Sequence, residues 1–101
     1  MRRPLRIQVI PSAAKQIREA RVWWQENSNS SILQEVLEHA FDLLSLQPFV
    51  GAPALNVKLA GVRRLHLNRI HYYLYYRVAE KEERVEVLAL WHTSRGTLPK
   101  L

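Results

Sequence analysis

Apolar residues recur with two different spacings along this chain of 101 residues, and the spacings predict its elements. Residues 5–10 alternate weakly and are rich in β-branched side chains, which predicts a short strand ending at Pro11. Beyond Ser12, a favourable helix N-cap, apolar residues recur every three or four positions as far as Trp24. They predict an amphipathic helix of roughly three to four turns. A polar turn is expected over residues 27–31.

A second amphipathic helix is predicted to begin at Ser30 or Ser31 and to end before a loop over residues 47–61. Its apolar face is broad and contains Ile32, Leu33, Val36, Leu37, Ala40, Phe41, Leu43 and Leu44. Its opposite face is polar and contains Gln34, Glu35, Glu38 and Asp42. Because only about five polar residues separate the two helices, they are expected to form an antiparallel hairpin with one apolar side.

Three aromatic-rich apolar runs, at residues 62–67, 70–78 and 84–91, fill the last third of the chain and predict an antiparallel meander. In the middle run, alternation places a mostly apolar set on one face: Ile70, Tyr72, Leu74, Tyr76 and Val78. The other face is aromatic with polar tips and contains His71, Tyr73, Tyr75 and Arg77. One domain over residues 1–101 is predicted, and its sheet is the expected cover for the apolar side of the helical hairpin.

The charge of the chain is strongly basic, with 15 Lys and Arg against 9 Asp and Glu and a formal net charge of +6. Basic residues, mostly arginines, are concentrated in residues 1–24 and 62–101, whereas residues 25–61 are acidic. This distribution favours an electropositive surface built from the two ends of the chain, although an arginine-rich solvated surface is the plainer alternative. No apolar run approaches the ~20 residues of a membrane-spanning helix. We expect a cytoplasmic protein with no membrane partner.

Several kinds of site are disfavoured by residue type and spacing. The chain has no cysteine, which excludes disulfides, thiolate metal sites and cysteine nucleophiles. The histidines are scattered without metal-ligand spacing, at His39, His66, His71 and His92. Three glycines do not form a phosphate-binding loop, and Ser94 near His92 lacks the context of a serine nucleophile. We therefore expect no metal and no cofactor.

The remaining candidates are basic and aromatic residues of the last third of the chain. They are Arg63, Arg64, Arg69, Tyr73, Tyr75, Arg77, His92 and Arg95. Strand ends lie side by side in an antiparallel meander, so these side chains are expected to form a surface for a polyanion or an acidic partner. Such a surface can hold RNA by charge and by base stacking on the tyrosines. It can also cleave RNA without a metal, the arginines stabilising the phosphorane and His92 transferring a proton.

A structural interpretation stays open for parts of this set. Tyr73 and Tyr75 are also compatible with packing beneath the helices or at a sheet edge. Trp91 is expected in the core, and His66 and His71 are expected to be surface residues of their strands.

Several short motifs, taken together and in order, resemble the RelE/ParE toxin superfamily of bacterial type II toxin–antitoxin systems. They are Gly61-Val-Arg-Arg, Tyr72-Tyr-Leu-Tyr-Tyr-Arg, and the closing His92-Thr-Ser-Arg, after an opening strand and a helical hairpin. The resemblance covers nearly the whole chain. It implies an α+β fold in which an N-terminal strand and a two-helix antiparallel hairpin pack on a twisted, mainly antiparallel sheet of about four strands. It also implies neutralisation by an acidic, partly disordered antitoxin in a hetero-oligomer.

The superfamily contains two functional groups. RelE-like members cut mRNA on the ribosome with basic residues and often a late tyrosine, whereas ParE-like members inhibit DNA gyrase. Here Arg63 or Arg64 matches the strand arginine of the family and Arg95 the terminal one, but no tyrosine follows Arg95. The resemblance therefore implies a ParE-like toxin that binds gyrase through the basic and aromatic set. The alternative is a metal-independent mRNA endonuclease using Arg64, His92 and Arg95, and a third hypothesis is a non-toxic basic RNA-binding or interaction module.

Overall fold

The computed structural model of the chain describes residues 3–28, 30–55 and 57–101. Its elements in order are β1 (Arg6–Val9), α1 (Pro11–Ser28), α2 (Ile32–Leu46), β2 (Ala52–Pro53), β3 (Val62–Leu67), β4 (Tyr72–Ala79) and β5 (Arg84–His92). The strands form a sheet in the order β1-β5-β4-β3-β2. β1 runs parallel to β5, and the other neighbours are antiparallel. The predicted α+β fold with a mainly antiparallel sheet is confirmed.

The sheet has five strands rather than about four, because part of the predicted loop forms β2. Ala52 pairs with Arg64, and Pro53 pairs with Arg63. Proline has no N–H to donate, so it is tolerated on an edge strand such as β2. The strand was not predicted because its two residues are too few to show an alternating pattern.

The bounds of α1 differ from the prediction at both ends. The helix begins at Pro11 rather than after an N-cap at Ser12, because proline suits the first helical position, where its missing N–H is not needed. The predicted polar turn began at residue 27, but Asn27 and Ser28 belong to the helix. Their side chains donate hydrogen bonds of 2.8 and 2.9 Å to carbonyl oxygens four residues earlier, which satisfies part of the last turn. Asn29 lies outside the described residues.

The first core lies between the helices and one face of the sheet. The helices contribute buried Ala13, Ile17, Ala20, Leu33, Val36, Leu37, Ala40 and Leu44. The sheet contributes Leu67, Leu74, Tyr76, Val85, Val87 and Leu90, with Tyr72 and Val78 packed against them and Ile70 from the adjoining turn. The predicted apolar faces of the second helix and of the middle strand are thereby confirmed. α1 packs mainly on β5, and α2 packs on β1 and β5.

A second, smaller core lies on the other face of the sheet. Its buried residues are Val62, Tyr75, Leu88 and Ala89. The loop before β3 and the end of the chain cover part of this face, and Leu59 N–H donates to the Leu101 carbonyl oxygen at 3.1 Å. Part of the face that was predicted to be aromatic with polar tips is therefore closed to solvent.

A β-bulge in β5 interrupts its pairing with β4. Tyr76 pairs with Val87 and Tyr75 pairs with Ala89, so Leu88 is an extra residue between them. Leu88 and Ala89 consequently both contribute to the second core, and simple alternation along the strand fails.

The bulge decides which side of the sheet the last residues of β5 face. Trp91 pairs with Tyr73, and His92 pairs with Tyr72. Directly paired residues project from the same side of a sheet, so Trp91 lies on the side of the second core and His92 on the side of the helices.

A candidate binding surface of stacked arginines

Arg64 and Tyr73 form the first half of a partly exposed basic and aromatic cluster on the sheet face opposite the helices. The guanidinium carbon of Arg64 lies 4.2 Å from the centroid of the Tyr73 ring. The ring of His66, which pairs with Tyr73 across the two strands, lies 4.9 Å from the same ring. Alternation along β3 places Arg64 and His66 on the same side, so both reach this tyrosine.

Trp91 and Arg95 form the second half of the cluster. Trp91 stands opposite Tyr73 on the neighbouring strand, and the guanidinium carbon of Arg95 lies 4.1 Å from the Trp91 ring centroid. The Trp91 indole N–H donates to the Thr97 carbonyl oxygen at 2.8 Å, which fixes the ring beneath the arginine. We call Arg64, His66, Tyr73, Trp91 and Arg95 the stacked-arginine surface.

The stacking determines what this surface can bind. A guanidinium covers one face of each ring, so neither Tyr73 nor Trp91 offers that face to a base. A stacked guanidinium keeps the N–H donors in its plane available to carboxylates or phosphates, and the ring restrains its position. The surface therefore presents two restrained cations suited to anionic groups.

His92 is not part of this surface, although the sequence placed it in one site with Arg64 and Arg95. Its ring packs edge-on against Tyr72, with centroids 5.0 Å apart, on the helix side of the sheet. The Ser94 backbone N–H donates to His92 Nδ1 at 3.1 Å, so the neutral ring carries its proton on Nε2. Because Arg64 and Arg95 stack on rings of the opposite side, the predicted set of Arg64, His92 and Arg95 does not assemble on one face.

Arg63 is also on the helix side, where it holds the loop before β2. Its Nη1 donates to the carbonyl oxygens of Gly51 at 2.7 Å and Phe49 at 3.3 Å. In the same place, Gly51 N–H donates to the Tyr76 hydroxyl at 2.8 Å. Burial raises the pKa of Tyr76, so the phenol stays neutral and accepts this bond. The role that these contacts indicate for Arg63 is structural.

Arg77 belongs to an ionic cluster on the second face. It donates to Glu86 Oε1 through Nε at 3.1 Å and Nη2 at 2.6 Å. Arg84 donates to Oε2 through Nε at 3.2 Å and Nη2 at 2.9 Å. These hydrogen bonds, from Arg77 first and then Arg84, lower the pKa of the Glu86 carboxyl. Arg77 is thus committed to a buried carboxylate of its own chain.

The other two predicted residues have different surroundings. Tyr75 is 1% exposed within the second core, which agrees with the packing interpretation and leaves its ring no surface for a target to contact. Arg69 is exposed in the turn between β3 and β4 and borders a groove beside α2.

Two members of the surface, His66 and Trp91, were missed as functional candidates by sequence reasoning. His66 could have been found, because it lies two residues after Arg64 and alternation puts both on one side. Trp91 was expected in the core, and it is half-buried at the edge of the second one, where its ring also carries Arg95. Alternation along β5 could not predict the side of the sheet on which Trp91 lies, because the bulge at Leu88 reverses the alternation beyond it.

The described part of the chain contains neither a metal-ligand cluster nor a membrane-spanning helix. There, no three His, Asp or Glu side chains form a group that could hold a metal ion. None of the helices in that part is long and apolar enough to span a bilayer.

Comparison with known proteins gives a family match and several similar structures. A family model described as "ParE toxin of type II toxin-antitoxin system, parDE" matches residues 7–96. No curated protein sequence matches the chain. The Mycobacterium tuberculosis RelBE2 toxin–antitoxin complex contains a chain 28% identical, with a TM-score of 0.65 over 88% of this chain and 98% of that one.

Two more distant structures share the fold. A chain of the chromosomal ParDE system of P. aeruginosa is 18% identical, with a TM-score of 0.71 over 89% of this chain and 97% of that one. The isolated E. coli RelE toxin is 17% identical, with a TM-score of 0.63 over 91% of this chain and 87% of that one. The resemblance inferred from the sequence motifs is confirmed.

Proposed function

Because the chain belongs to the ParE toxin family of type II toxin–antitoxin systems, we propose that it arrests growth by binding DNA gyrase through the stacked-arginine surface. It acts in the cytoplasm without a cofactor, and a cognate acidic antitoxin neutralises it. The similar M. tuberculosis structure is itself a toxin–antitoxin complex, which supports an antitoxin as partner.

The observation that carries this proposal is the capping of both aromatic rings by arginine. Arg64 covers Tyr73 and Arg95 covers Trp91, so the surface offers restrained cations in place of free stacking platforms. This arrangement suits carboxylates on a protein surface better than unstacked bases, which need open ring faces. His92 lies on the other side of the sheet and does not join Arg64 and Arg95, so in this proposal the two arginines recognise the target and take part in no reaction.

The test is a DNA supercoiling assay with purified gyrase and purified toxin. We expect the wild-type chain to inhibit supercoiling, and we expect Arg64→Ala and Arg95→Ala each to raise the half-inhibitory concentration by about tenfold or more. A contact between a guanidinium and a carboxylate that is partly desolvated has this magnitude.

Arg18→Ala is the matched control, because Arg18 is an exposed arginine of α1 outside the surface. It should leave inhibition within about twofold of wild type, a change below 0.5 kcal/mol. No inhibition by a large excess of wild-type toxin would refute gyrase as the target, and equal inhibition by all four proteins would refute the assigned surface.

A ribosome-dependent mRNA endonuclease is the second candidate, and one observation favours it. His66 lies on the same face as Arg64 and contacts Tyr73, so a titratable group stands beside a cation. If the chain cleaves RNA, His66 in place of His92 takes the proton of the attacking 2′-hydroxyl, and water gives a proton to the leaving 5′-oxygen. Arg64 and Arg95 then stabilise the charge of the phosphorane.

Mapping of mRNA ends after induction tests this candidate. New cuts in translated mRNA should be lost in His66→Ala and retained in His92→Ala. Unchanged mRNA ends during growth arrest would exclude cleavage, and loss of cuts in His92→Ala alone would contradict the reassignment to His66.

A further inference from the structure

A second basic cluster lies on the sheet face that carries the stacked-arginine surface, towards the opposite end of the strands. Arg77 and Glu86 are paired on β4 and β5, and Arg84 lies two residues before Glu86 on the same side. Arg6 of β1 pairs directly with Arg84, so it projects from this face as well. Arg77 is four residues from Tyr73 along β4, so the cluster begins about 14 Å from the stacked-arginine surface.

The charge of this cluster is not balanced within the cluster. Three arginines and one glutamate give it a net charge of +2. Arg6 and Arg84 are direct neighbours across two strands, and like charges in that position repel each other. The exposed Arg6 guanidinium meets a neutral acceptor, the Glu82 carbonyl oxygen, at 3.4 Å. An anion from outside the chain would offset the repulsion.

Glu86 holds the other two arginines of the cluster in place for such an anion. Each uses Nε and Nη2 on the carboxylate, so three of its five N–H donors stay free of Glu86. The side chains of Arg77 and Arg84 are 38% and 30% exposed, so both reach solvent. A guanidinium restrained in this way loses little freedom on binding, and its free donors suit a phosphate.

Two lysines extend the positive charge between this cluster and the stacked-arginine surface. Lys58 and Lys100 are exposed, and the segments that contain them, the loop before β3 and the end of the chain, pack on the second core. That core contains Tyr75, which lies between Tyr73 and Arg77 on β4. The lysines therefore stand over the middle of the face, between its two groups of arginines.

The acidic residues are concentrated elsewhere. All nine Asp and Glu residues fall within the described part of the chain. Five are on the two helices, which pack on the other face, and three are in the turn between β4 and β5. The remaining one, Glu86, projects from the second face and already accepts from two arginines. The second face thus presents cations along about 20 Å of β4, from Tyr73 to Ala79.

This array suits the backbone of a nucleic-acid duplex better than unstacked bases. Tyr73 and Trp91 are each covered on one face by an arginine, and Tyr75 is buried. A single strand is held by stacking its bases on open rings, whereas a duplex keeps its bases stacked internally and offers closely spaced phosphates. Contacts to those phosphates need cations and do not depend on the base sequence.

We propose that five cations of the second face bind the phosphate backbone of a nucleic-acid duplex without regard to its sequence. They are Arg6, Lys58, Arg77, Arg84 and Lys100. The site is separate from the stacked-arginine surface, and the inference does not depend on gyrase as the cellular target.

The first test is fluorescence anisotropy of a labelled duplex of about 20 base pairs titrated with the full-length toxin. We expect a Kd of about 1–100 µM near physiological salt. The logarithm of the binding constant should fall against the logarithm of the salt concentration with a slope of about −3.6 to −4.5, which corresponds to roughly four or five neutralised phosphates. Two unrelated sequences should bind within about twofold of each other, and parallel titrations of DNA and RNA duplexes identify the source of the phosphates.

The second test uses paired variants of equal charge. Arg6→Gln with Lys58→Gln leaves the ion pairs of Glu86 intact, because both replaced side chains are exposed and outside them. Loss of two phosphate contacts should reduce the slope by about 1.8 and weaken binding roughly 60-fold at about 0.1 M salt. Arg18→Gln with Arg21→Gln is the matched control, since it removes two charges from exposed positions of α1, and it should bind within about threefold of wild type.

Three results would overturn the proposal. They are no binding of either duplex at about 50 mM salt, equal weakening by the two double variants, and tighter binding of single-stranded RNA or of a polyglutamate peptide than of a duplex. The assay contains no gyrase, so its failure is distinguishable from a failure of the supercoiling test.

Discussion

Replacement of Glu86 by glutamine should destabilise the fold more than any other single loss of charge described above. The carboxylate accepts four N–H donors from two arginines, and its side chain is 11% exposed. Glutamine keeps the shape but removes the charge, so two neighbouring guanidinium groups lose their common anion. The change therefore leaves charges that are unpaired and partly buried, which is the costly way of breaking an ion pair.

The magnitude follows from the exposure of the partners. Breaking a fully buried pair costs about 3–5 kcal/mol, and breaking an exposed pair costs about 0–1 kcal/mol. The side chains of Arg77 and Arg84 are 38% and 30% exposed, so solvent screens part of the loss. We expect Glu86→Gln to lower the free energy of unfolding by about 2–3 kcal/mol at pH 7. For a domain of this size, that corresponds to a fall in Tm of roughly 10–20 °C.

The effect of pH gives a second, independent signature. The pKa of Glu86 is lowered below its ordinary value of 4.5 in the folded chain, so its stabilisation is present above that value. It is lost as the pH falls through the lower, folded-state pKa. The stability difference between wild type and Glu86→Gln should therefore be constant between about pH 5 and 8 and should shrink below about pH 4.5.

Urea unfolding followed by circular dichroism across this pH range measures the difference directly. Glu83→Gln is the control, because Glu83 is exposed and its oxygen lies 3.9 Å from Arg3, so its loss should cost less than about 0.5 kcal/mol. A Glu86→Gln variant within 0.5 kcal/mol of wild type at pH 7, or a difference that persists unchanged to pH 3, would refute the reasoning.

Two further predictions concern single contacts. Gly51→Ala places a Cβ 2.6 Å from the Tyr76 hydroxyl and 2.8 Å from the Arg64 carbonyl oxygen. It should lower the free energy of unfolding by about 1–3 kcal/mol, measured by thermal or urea unfolding. A variant as stable as wild type would show that the loop can move. Gln16→Leu removes the Oε1 that accepts the Leu90 N–H at 2.8 Å, beyond the point where β1 stops pairing with β5, so it should cost about 1–3 kcal/mol. Gln16→Glu keeps the acceptor and should recover most of that loss, and equal destabilisation by both variants would argue against the hydrogen bond.

The sequence predicts much of the fold, because apolar residues are regularly spaced wherever a helix or strand buries only one of its faces. The stripe from Leu33 to Leu44 and the alternation from Tyr72 to Val78 both emerge as core faces. Tyr75 shows the limit of such reasoning: alternation assigns its side correctly, but its burial depends on Leu59 and Leu101, which arrive from distant segments. Local spacing carries no information about which segment will cover a face.

The sequence identified the two arginines of the candidate site, but it did not predict which side chains lie beside them on the same face of the sheet. Arg64 and Arg95 stood out by charge and motif, whereas the side of His92 depends on one bulge that no alternation reveals. The roles of Arg63 and Arg77 depend on acceptors of their own chain, which tertiary structure alone brings within reach.

The bulge also has a consequence for how this protein tolerates changes in length. Leu88 is one residue more than the ladder between β4 and β5 needs, so its deletion would make Val87 and Ala89 consecutive without moving either from its present partner. The bulge thus holds a spare residue within the central sheet.

Every pair beyond the bulge would keep its register after such a deletion, including Trp91 with Tyr73. Arg95 would therefore stay on the face of Arg64. A deletion at Leu74 in β4, which has no spare residue, would instead turn Tyr73 to the opposite side. β5 can therefore lose this one residue, Leu88, while the spacing of the two stacked arginines is preserved.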